Sequence, residues 1–267
     1  MKIIEQFLCG KEGNLSTCED GLIIGKHLIA VLDGVTSKGI HLWNGKTSGF
    51  HAKEVLSDYL RQDVEKQSAI ELMRNLDRIL HDNIESAENL ASEEYPRAVI
   101  IIYNDFYKEV WSYGDCQCRI NEDIYTHSKK IDELNADLRA FYLEYLISQG
   151  ADIKELEQND LGRKGIQRNL IMQFEFENKL GYFGYPVLNG MGIEESMIKC
   201  YSVTEGDTVI LASDGYPVLR KTLKECENEL DYIRQNDPMC FRLFRSTKGI
   251  KQGNASFDDR AFCKFIV

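Results

Sequence analysis

Three short acidic motifs stand where apolar segments of this sequence begin or end. Asp33-Gly34 and Asp214-Gly215 each follow an apolar run, and Asp258-Asp259 comes just before the apolar C-terminal run 261–267. Runs of this kind predict buried strands. Carboxylates at the ends of three strands supply the oxygen ligands that a hard divalent cation prefers. The pattern therefore predicts a metal-dependent hydrolase.

The two Asp-Gly pairs differ from simple hairpin turns, which are the usual reason for an Asp-Gly after a strand. Asp33-Gly34 leads into the polar stretch 35–39, which is too long for a two-residue hairpin, and Asp214-Gly215 leads into Tyr216-Pro217. Aspartate holds an ion close to the strand end. Glycine lacks Cβ, so its own carbonyl can approach the ion as well. Ligands of this kind suit Mg²⁺ or Mn²⁺ and disfavour zinc.

Composition narrows the class of protein. The chain has 267 residues, 43% of them hydrophobic, which is enough for a substantial core. Its net charge of −11 argues against a nucleic-acid partner, because such binding depends on Lys and Arg. The eight cysteines lack zinc-ligand or redox spacing, which favours reduced core thiols. No signal peptide or membrane-spanning run is evident, so we expect a cytoplasmic location and no membrane partner.

Alternation, apolar periodicity and glycine positions predict the order of the elements. Strands are expected at 3–8, 21–24, 28–32, 97–103, 108–113, 118–120, 197–201, 208–211 and 261–267. Helices are expected at 51–62, 68–90, 131–148 and 218–245. Strands at both ends predict a single α+β domain, 1–267, whose sheet contains both termini and gathers the three acidic motifs. Residues from about 151 to 192 are predicted to form an irregular, flap-like insertion.

Five blocks of the sequence together resemble one known family. The blocks are Cys18–Gly21, Asp33-Gly34, Tyr113–Arg119, Thr204–Gly215 and Asp258–Ala261. In this order they resemble the N-E-D, first Asp-Gly, V-G-D-S-R, G-D-x-hydrophobic-S-D-G and D-D-N blocks of the metal-dependent Ser/Thr protein phosphatases of type 2C (PPM). Five blocks in the right order are far more specific than any one of them.

The resemblance implies a fold and a set of residue roles. The implied fold is a four-layer α-β-β-α sandwich with two central, mainly antiparallel β-sheets. The implied metal ligands are Asp20, Asp33, the carbonyl of Gly34, Asp115, Asp214 and Asp259. Asp33 and Asp214 would be the catalytic pair, and Asp33 would bridge two ions. Glu19 would act directly or through water, and Asp115 would serve a weaker third ion.

The resemblance also implies an activity. Two Mg²⁺ or Mn²⁺ ions, and in some cases a third, would activate a water for in-line attack on phosphorus. The implied substrate is a protein that carries phosphoserine or phosphothreonine. A bound divalent ion reverses the local field, so an acidic protein can still accept a phosphoester.

The sequence departs from the family in residues that contact the substrate. Leu15 stands where the family usually has the arginine that grips the phosphate, and Lys11 is the nearest cation in the same loop. Lys11 is either a substitute, without the bidentate fork of arginine, or an ordinary solvated lysine. Val35 stands where many members have a histidine, and Arg260 replaces an asparagine.

Three alternatives accompany the phosphatase interpretation. The changes at Leu15 and Val35 are compatible with a catalytically weak pseudophosphatase that acts as a regulatory binding module. The unusual insertion is compatible with a small phosphorylated metabolite as substrate. The stretch 39–47 imitates a phosphate-binding P-loop, but five residues separate its glycines instead of four, so nucleotide binding there is not expected.

Overall fold

The computed structural model describes residues 1–36, 38–85 and 90–267. Its strands are β1 (Lys2–Cys9), β2 (Asp20–Ile24), β3 (Leu28–Gly34), β4 (Ala98–Asn104), β5 (Glu109–Tyr113), β6 (Gln117–Ile120), β7 (Asp123–Tyr125), β8 (Lys199–Ser202), β9 (Thr208–Ala212) and β10 (Arg260–Ile266). Its helices are α1 (Ser48–Leu60), α2 (Ala69–Glu85), α3 (Lys130–Ser148), α4 (Ile153–Gln158), α5 (Leu161–Gly165), α6 (Gln167–Met172) and α7 (Leu223–Asn236). Short 3-10 turns lie at Ser92–Glu94, Gln173–Phe176 and Glu195–Met197.

The strands form two antiparallel five-stranded sheets. The terminal sheet has the order β1-β10-β9-β6-β7, and the central sheet has the order β2-β3-β4-β5-β8. β3 and β4 are apolar and almost completely buried because both of their faces are covered. β1 pairs with β10, so the first and last strands of the chain are neighbours in one sheet, as the sequence predicts.

Three apolar layers hold this arrangement together. Between the sheets, residues such as Val31 and Ile101 of the central sheet pack against Leu211 and Phe265 of the terminal sheet. α1 and α2 cover the other face of the central sheet. The start of α7 covers the other face of the terminal sheet, around Phe262. The result is the predicted four-layer α-β-β-α sandwich.

The predicted helix 218–245 is wrong over much of its length, because α7 spans only Leu223–Asn236. Asp237 ends it: its carboxylate accepts hydrogen bonds from the backbone N–H groups of Phe241, Arg242 and Leu243. Pro238 follows, and proline cannot donate the hydrogen bond that a continuing helix needs. The chain then runs as an irregular loop to β10. Within the predicted helix 68–90, residues 86–89 lie outside the described residues.

One buried arginine fastens the inserted segment to this loop. Arg139 of α3 is fully buried, and its guanidinium donates to Asp160 Oδ2 at 2.7 and 2.9 Å. It also donates to the carbonyls of Met239, Cys240 and Ser246. The guanidinium of Arg139 therefore connects α3 with the start of α5 and with the loop before β10. No helix in the described ranges is both long and apolar enough to cross a membrane.

We expect Arg139→Met to destabilise the protein by about 3 kcal/mol, because it leaves Asp160 and three carbonyls without their donor. Urea unfolding monitored by circular dichroism measures the change. Arg245→Met is the matched control, since Arg245 forms an exposed ion pair with Asp137 of the same helix. That variant should cost less than about 1 kcal/mol. Equal losses for the two variants would contradict the anchoring role.

Candidate metal centre

Strand register brings the acidic motifs to one end of the two sheets. Asp20 lies directly opposite Asp33 in the β2–β3 ladder. Asp214 comes two residues after β9, and Asp258 comes two residues before β10, the neighbour of β9 in the terminal sheet. A cavity of about 400 Å³ opens there, and its wall includes Asp33, Asp115, Asp214 and Asp258.

Asp33 and Asp214 are adjacent carboxyls in this cluster. Burial raises the pKa of Asp33 well above its ordinary value, and the charges of Asp20, Asp258 and Asp115 raise it further. A hydrogen bond between the Asp33 and Asp214 carboxyls opposes part of this rise. Burial and the charge of Asp33 raise the pKa of Asp214 in the same way. Two carboxylates this close cannot both be ionised without a nearby cation.

Asp258 and Asp259 have different surroundings although they are adjacent. Asp258 lines the cavity. Burial alone would raise its pKa, but the charges of Lys248 and Lys11 hold the pKa below its ordinary value. Asp259 faces the backbone instead: Oδ1 accepts from the N–H of Lys11 and Oδ2 from the N–H of Glu19, both at 2.7 Å. Asp258 Oδ1 in turn accepts from the N–H of Asp259 at 3.1 Å, and Oδ2 contacts Lys248. Both carboxylates therefore have partners, and of the two it is Asp258 that lines the cavity.

Glu19 links the loop after β3 to the start of α1. Its two carboxylate oxygens accept hydrogen bonds from the hydroxyls of Thr36 and Thr47, each at 2.6 Å. Thr47 is also the N-cap of α1, because its side chain accepts from the N–H of Phe50. Glu19 is thus a buried residue whose two carboxylate oxygens both accept hydrogen bonds, and it holds the segments that carry Thr36 and Thr47 together.

Lys11, the cation that the sequence places nearest the missing arginine, lies among acidic side chains. Its ammonium is 3.5 Å from Glu19, 3.6 Å from Asp259 and 4.0 Å from Asp258. The described wall of the cavity does not include it. Leu15 is 55% exposed and lies outside that wall as well, whereas Val35 is part of it.

Asp115 is already paired with a cation. Lys129 Nζ lies 2.8 Å from Asp115 Oδ2, and its second carboxylate neighbour is Asp132 at 3.9 Å. Burial lowers the pKa of Lys129, but the charges of Asp115 and Asp132 outweigh it and raise the pKa well above its ordinary value. This ion pair therefore places a permanent positive charge at the side of the cluster where a third ion is implied.

The glycines of both Asp-Gly motifs allow close approach of backbone segments. A Cβ on Gly34 would lie 2.3 Å from the carbonyl oxygen of Gly49, at the start of α1. A Cβ on Gly215 would lie 1.9 Å from the carbonyl oxygen of Asp259. No side chain fits at such distances. Gly34 thus brings Asp33 close to α1, and Gly215 brings Asp214 close to the acidic motif before β10.

The donor set suits a hard divalent ion, although the ligand shell is not closed. Within the described ranges, no three His, Cys, Asp or Glu side chains are placed closely enough to hold a metal ion as they stand. Asp20 is nevertheless 2% exposed, and its Oδ2 has no hydrogen-bond partner. A buried carboxylate oxygen without a donor requires a cation or a proton. Carboxylates with the backbone carbonyl of Gly34 are oxygen ligands of the kind Mg²⁺ and Mn²⁺ prefer.

The same cavity has a basic wall that no sequence motif predicts. Lys38, Arg163 and Lys248 line it, from the loop after β3, from α5 and from the loop before β10. Each sits in a segment without a recognisable motif. Only the net positive charge of Arg163-Lys164 and of Arg245–Lys251 was visible in the sequence.

The similarity of this chain to known proteins lies in its fold. No family model matches this sequence, and neither does the sequence of any curated protein. The PPM Ser-Thr phosphatase MsPP from Mycobacterium smegmatis, solved in complex with cacodylate, is 11% identical over 100% of both chains, with a TM-score of 0.50. The serine/threonine phosphatase PstP/Ppp from Mycobacterium tuberculosis is 15% identical over 98% of this chain and 97% of its own, with a TM-score of 0.51. This chain has the fold of the PPM phosphatases.

The PPM fold confirms the resemblance at the level of architecture. The two antiparallel five-stranded sheets and their helical layers are those that the five sequence blocks imply. Identities of 11% and 15% carry the fold and leave the activity and the roles of individual residues as proposals.

The raised pKa of Asp33 predicts a pH-dependent stability of the protein in chelator. The pKa of Asp33 in the folded state exceeds its value in the unfolded state, which is about 4. The protonated Asp33 therefore favours the folded state fully below about pH 4, and this stabilisation is lost as the pH rises through the pKa of the folded state. Asp33→Asn removes the charge. We expect it to raise the unfolding free energy at pH 8 by about 1 kcal/mol or more, and to change little near pH 4.

Thermal and urea unfolding at several pH values, with EDTA present, measure this effect. Asp123→Asn is the control, because Asp123 lies exposed on β7. The control should show no pH-dependent gain. A loss of stability in Asp33→Asn at pH 8 would contradict the repulsion inferred for the cluster.

Proposed function

We propose that this chain is a metal-dependent phosphatase that hydrolyses phosphoserine and phosphothreonine in proteins. The observation that carries the proposal is the meeting of Asp33 and Asp214 on one cavity with Asp258, although their motifs are far apart in the sequence. The PPM fold supports it, since the neighbours in the structural comparison are named Ser/Thr phosphatases.

We propose two Mg²⁺ or Mn²⁺ ions as cofactors, held by Asp33, the Gly34 carbonyl, Asp214 and Asp258. For the ligand that the sequence places at Asp259 we propose Asp258 instead, because Asp258 lines the cavity whereas both oxygens of Asp259 accept backbone hydrogen bonds. Asp20, whose Oδ2 has no hydrogen-bond partner, lies near enough for its charge to raise the pKa of Asp33. When bound, the ions supply Lewis-acid activation of water and of the phosphoryl group.

The remaining acidic residues hold this centre in place. Asp259 fixes the backbone at Lys11 and Glu19, and Glu19 in turn holds Thr36 and Thr47. These contacts keep the loop after Asp33 against α1. For Asp115 we propose a place in a third ion site only when Lys129 moves away, because Lys129 forms its ion pair there.

A non-catalytic regulatory module is the second candidate. Val35 lines the cavity at the position where many members of the family have a histidine. The side chain of Val35 carries no proton that it could transfer to the leaving alcohol. This candidate predicts metal binding without turnover of any phosphopeptide.

We further propose a cytoplasmic location. All eight cysteines are free thiols, and six of them are buried. A reducing compartment keeps such thiols unpaired.

Hydrolysis of p-nitrophenyl phosphate and of phosphothreonine peptides tests the function. We expect turnover that requires Mn²⁺ or Mg²⁺, stops in EDTA, and falls by about a hundredfold or more in Asp214→Asn, because that change removes a charge from the proposed ligand set. Asp123→Asn should retain wild-type turnover. Turnover that persists in EDTA would contradict the metal-dependent mechanism, and metal binding without turnover would favour the regulatory module.

A further inference from the structure

The cavity that holds the carboxylates also holds cations from three separate segments. We propose that Lys38, Arg163 and Lys248 form the site that binds the phosphate of the substrate. This inference rests on the proposed phosphatase function and assigns the group that grips the phosphoester. It replaces both the arginine that the resemblance places at Leu15 and the weaker candidate Lys11.

The surroundings of Lys38 favour an anion as its partner. Its ammonium donates to the carbonyl oxygen of Thr36 at 2.7 Å, and among the described residues it forms no ion pair with a carboxylate. Burial, together with the charges of Arg163 and Lys248, lowers the pKa of Lys38 to about 7, against a smaller opposing effect of Glu19 and Asp132. A lysine placed beside two other cations, with no carboxylate partner, is stabilised by an anion that enters the cavity.

Arg163 approaches the same place from α5. Its guanidinium donates to the carbonyl oxygen of Thr247 at 2.6 Å, which places it beside Lys248. Within the described part of the chain, Arg163 forms no ion pair with a carboxylate either. A guanidinium presents several N–H groups in a plane, so donors remain for the oxygens of a phosphate.

Lys248 connects the basic wall to the acidic cluster. Its ammonium contacts Asp258 Oδ2, the carboxylate that we propose as a metal ligand. An anion in contact with Lys248 therefore lies beside the proposed metal centre, which is where a phosphoester must lie for hydrolysis. Lys248 pairs with one carboxylate, whereas Lys129 lies between Asp115 and Asp132. Lys11 lies among three carboxylates, those of Glu19, Asp258 and Asp259.

The origin of these cations indicates the class of ligand. A phosphomonoester is a dianion near neutral pH, and several donors that converge from different segments suit it better than a single carboxylate of a peptide. Arg163 lies in the inserted segment 151–192, and Lys248 lies in the loop that Arg139 fastens to that segment. The insertion thus supplies part of the phosphate site.

Lys38→Met, Arg163→Met and the conservative Lys38→Arg test the proposal. Lys164→Met is the matched control, because Lys164 is the exposed neighbour of Arg163 on α5. The Mn²⁺-loaded enzyme is assayed with p-nitrophenyl phosphate for kcat and KM, and inorganic phosphate is titrated by calorimetry as a probe that needs no turnover. Removal of the Lys38 charge relieves repulsion, so this variant is expected to fold.

We expect Lys38→Met and Arg163→Met each to raise KM and the Kd of phosphate about tenfold, the loss expected for one charge-assisted hydrogen bond. Lys38→Arg should stay within about threefold of the wild type, and Lys164→Met should not differ from it. Unchanged KM and Kd in both Met variants would overturn the proposal.

The experiments distinguish failure of the proposed phosphatase function from failure of the proposed phosphate site. If the wild-type protein shows no turnover but binds phosphate, and Lys38→Met weakens that binding, the phosphatase function fails and the anion site stands. If turnover is present and phosphate binding is insensitive to Lys38 and Arg163, the function stands and the assignment of these cations is wrong. If the wild-type protein neither turns over substrate nor binds phosphate, both fail.

Discussion

The structure depends on bringing several carboxylates together at one end of two sheets. Burial disfavours the charged form of Asp20, Asp33 and Asp214 and raises the pKa of each, and the charges of neighbouring carboxylates raise these pKa values further. Such a cluster is retained in a folded protein when a cation neutralises it, and the oxygen donors here match those of a hard divalent ion.

The fold holds this cluster by contacts that are not themselves acidic. Gly34 and Gly215 let backbone segments approach to distances at which a Cβ would clash, and so set the positions of Asp33 and Asp214. Arg139 fixes the loop before β10 to the inserted segment. The same loop carries Lys248 and Asp258, so one buried guanidinium helps to position both a cation and a carboxylate of the cavity wall.

The positions of most strands and the pairing of the two terminal strands could be predicted from the sequence, because they depend on the local pattern of apolar residues. Apolar runs that end in Asp-Gly predicted β3 and β9, and the strands at both termini predicted that they share a sheet. The helix 218–245 was predicted too long because apolar periodicity continued past Pro238, while the side chain of Asp237 captured the amides that a longer helix would use.

The rest could not be predicted, because it depends on contacts between distant parts of the chain. Asp258 and Asp259 are adjacent and chemically identical, and what separates them is that the N–H groups of Lys11 and Glu19 bind Asp259. The basic wall depends on the path of an insertion with no periodic signal. The metal ions themselves, and the roles of individual ligands, stay predictions.

Crystals of the protein grown with Mn²⁺, with anomalous scattering measured at the manganese edge, would show whether the carboxylate cluster binds two ions. We expect two anomalous peaks in the cavity, within ligand distance of Asp33, Asp214 and Asp258, with Asp259 still bound to the backbone of Lys11 and Glu19. A cavity without manganese at saturating concentration, or ions bound elsewhere, would contradict this expectation.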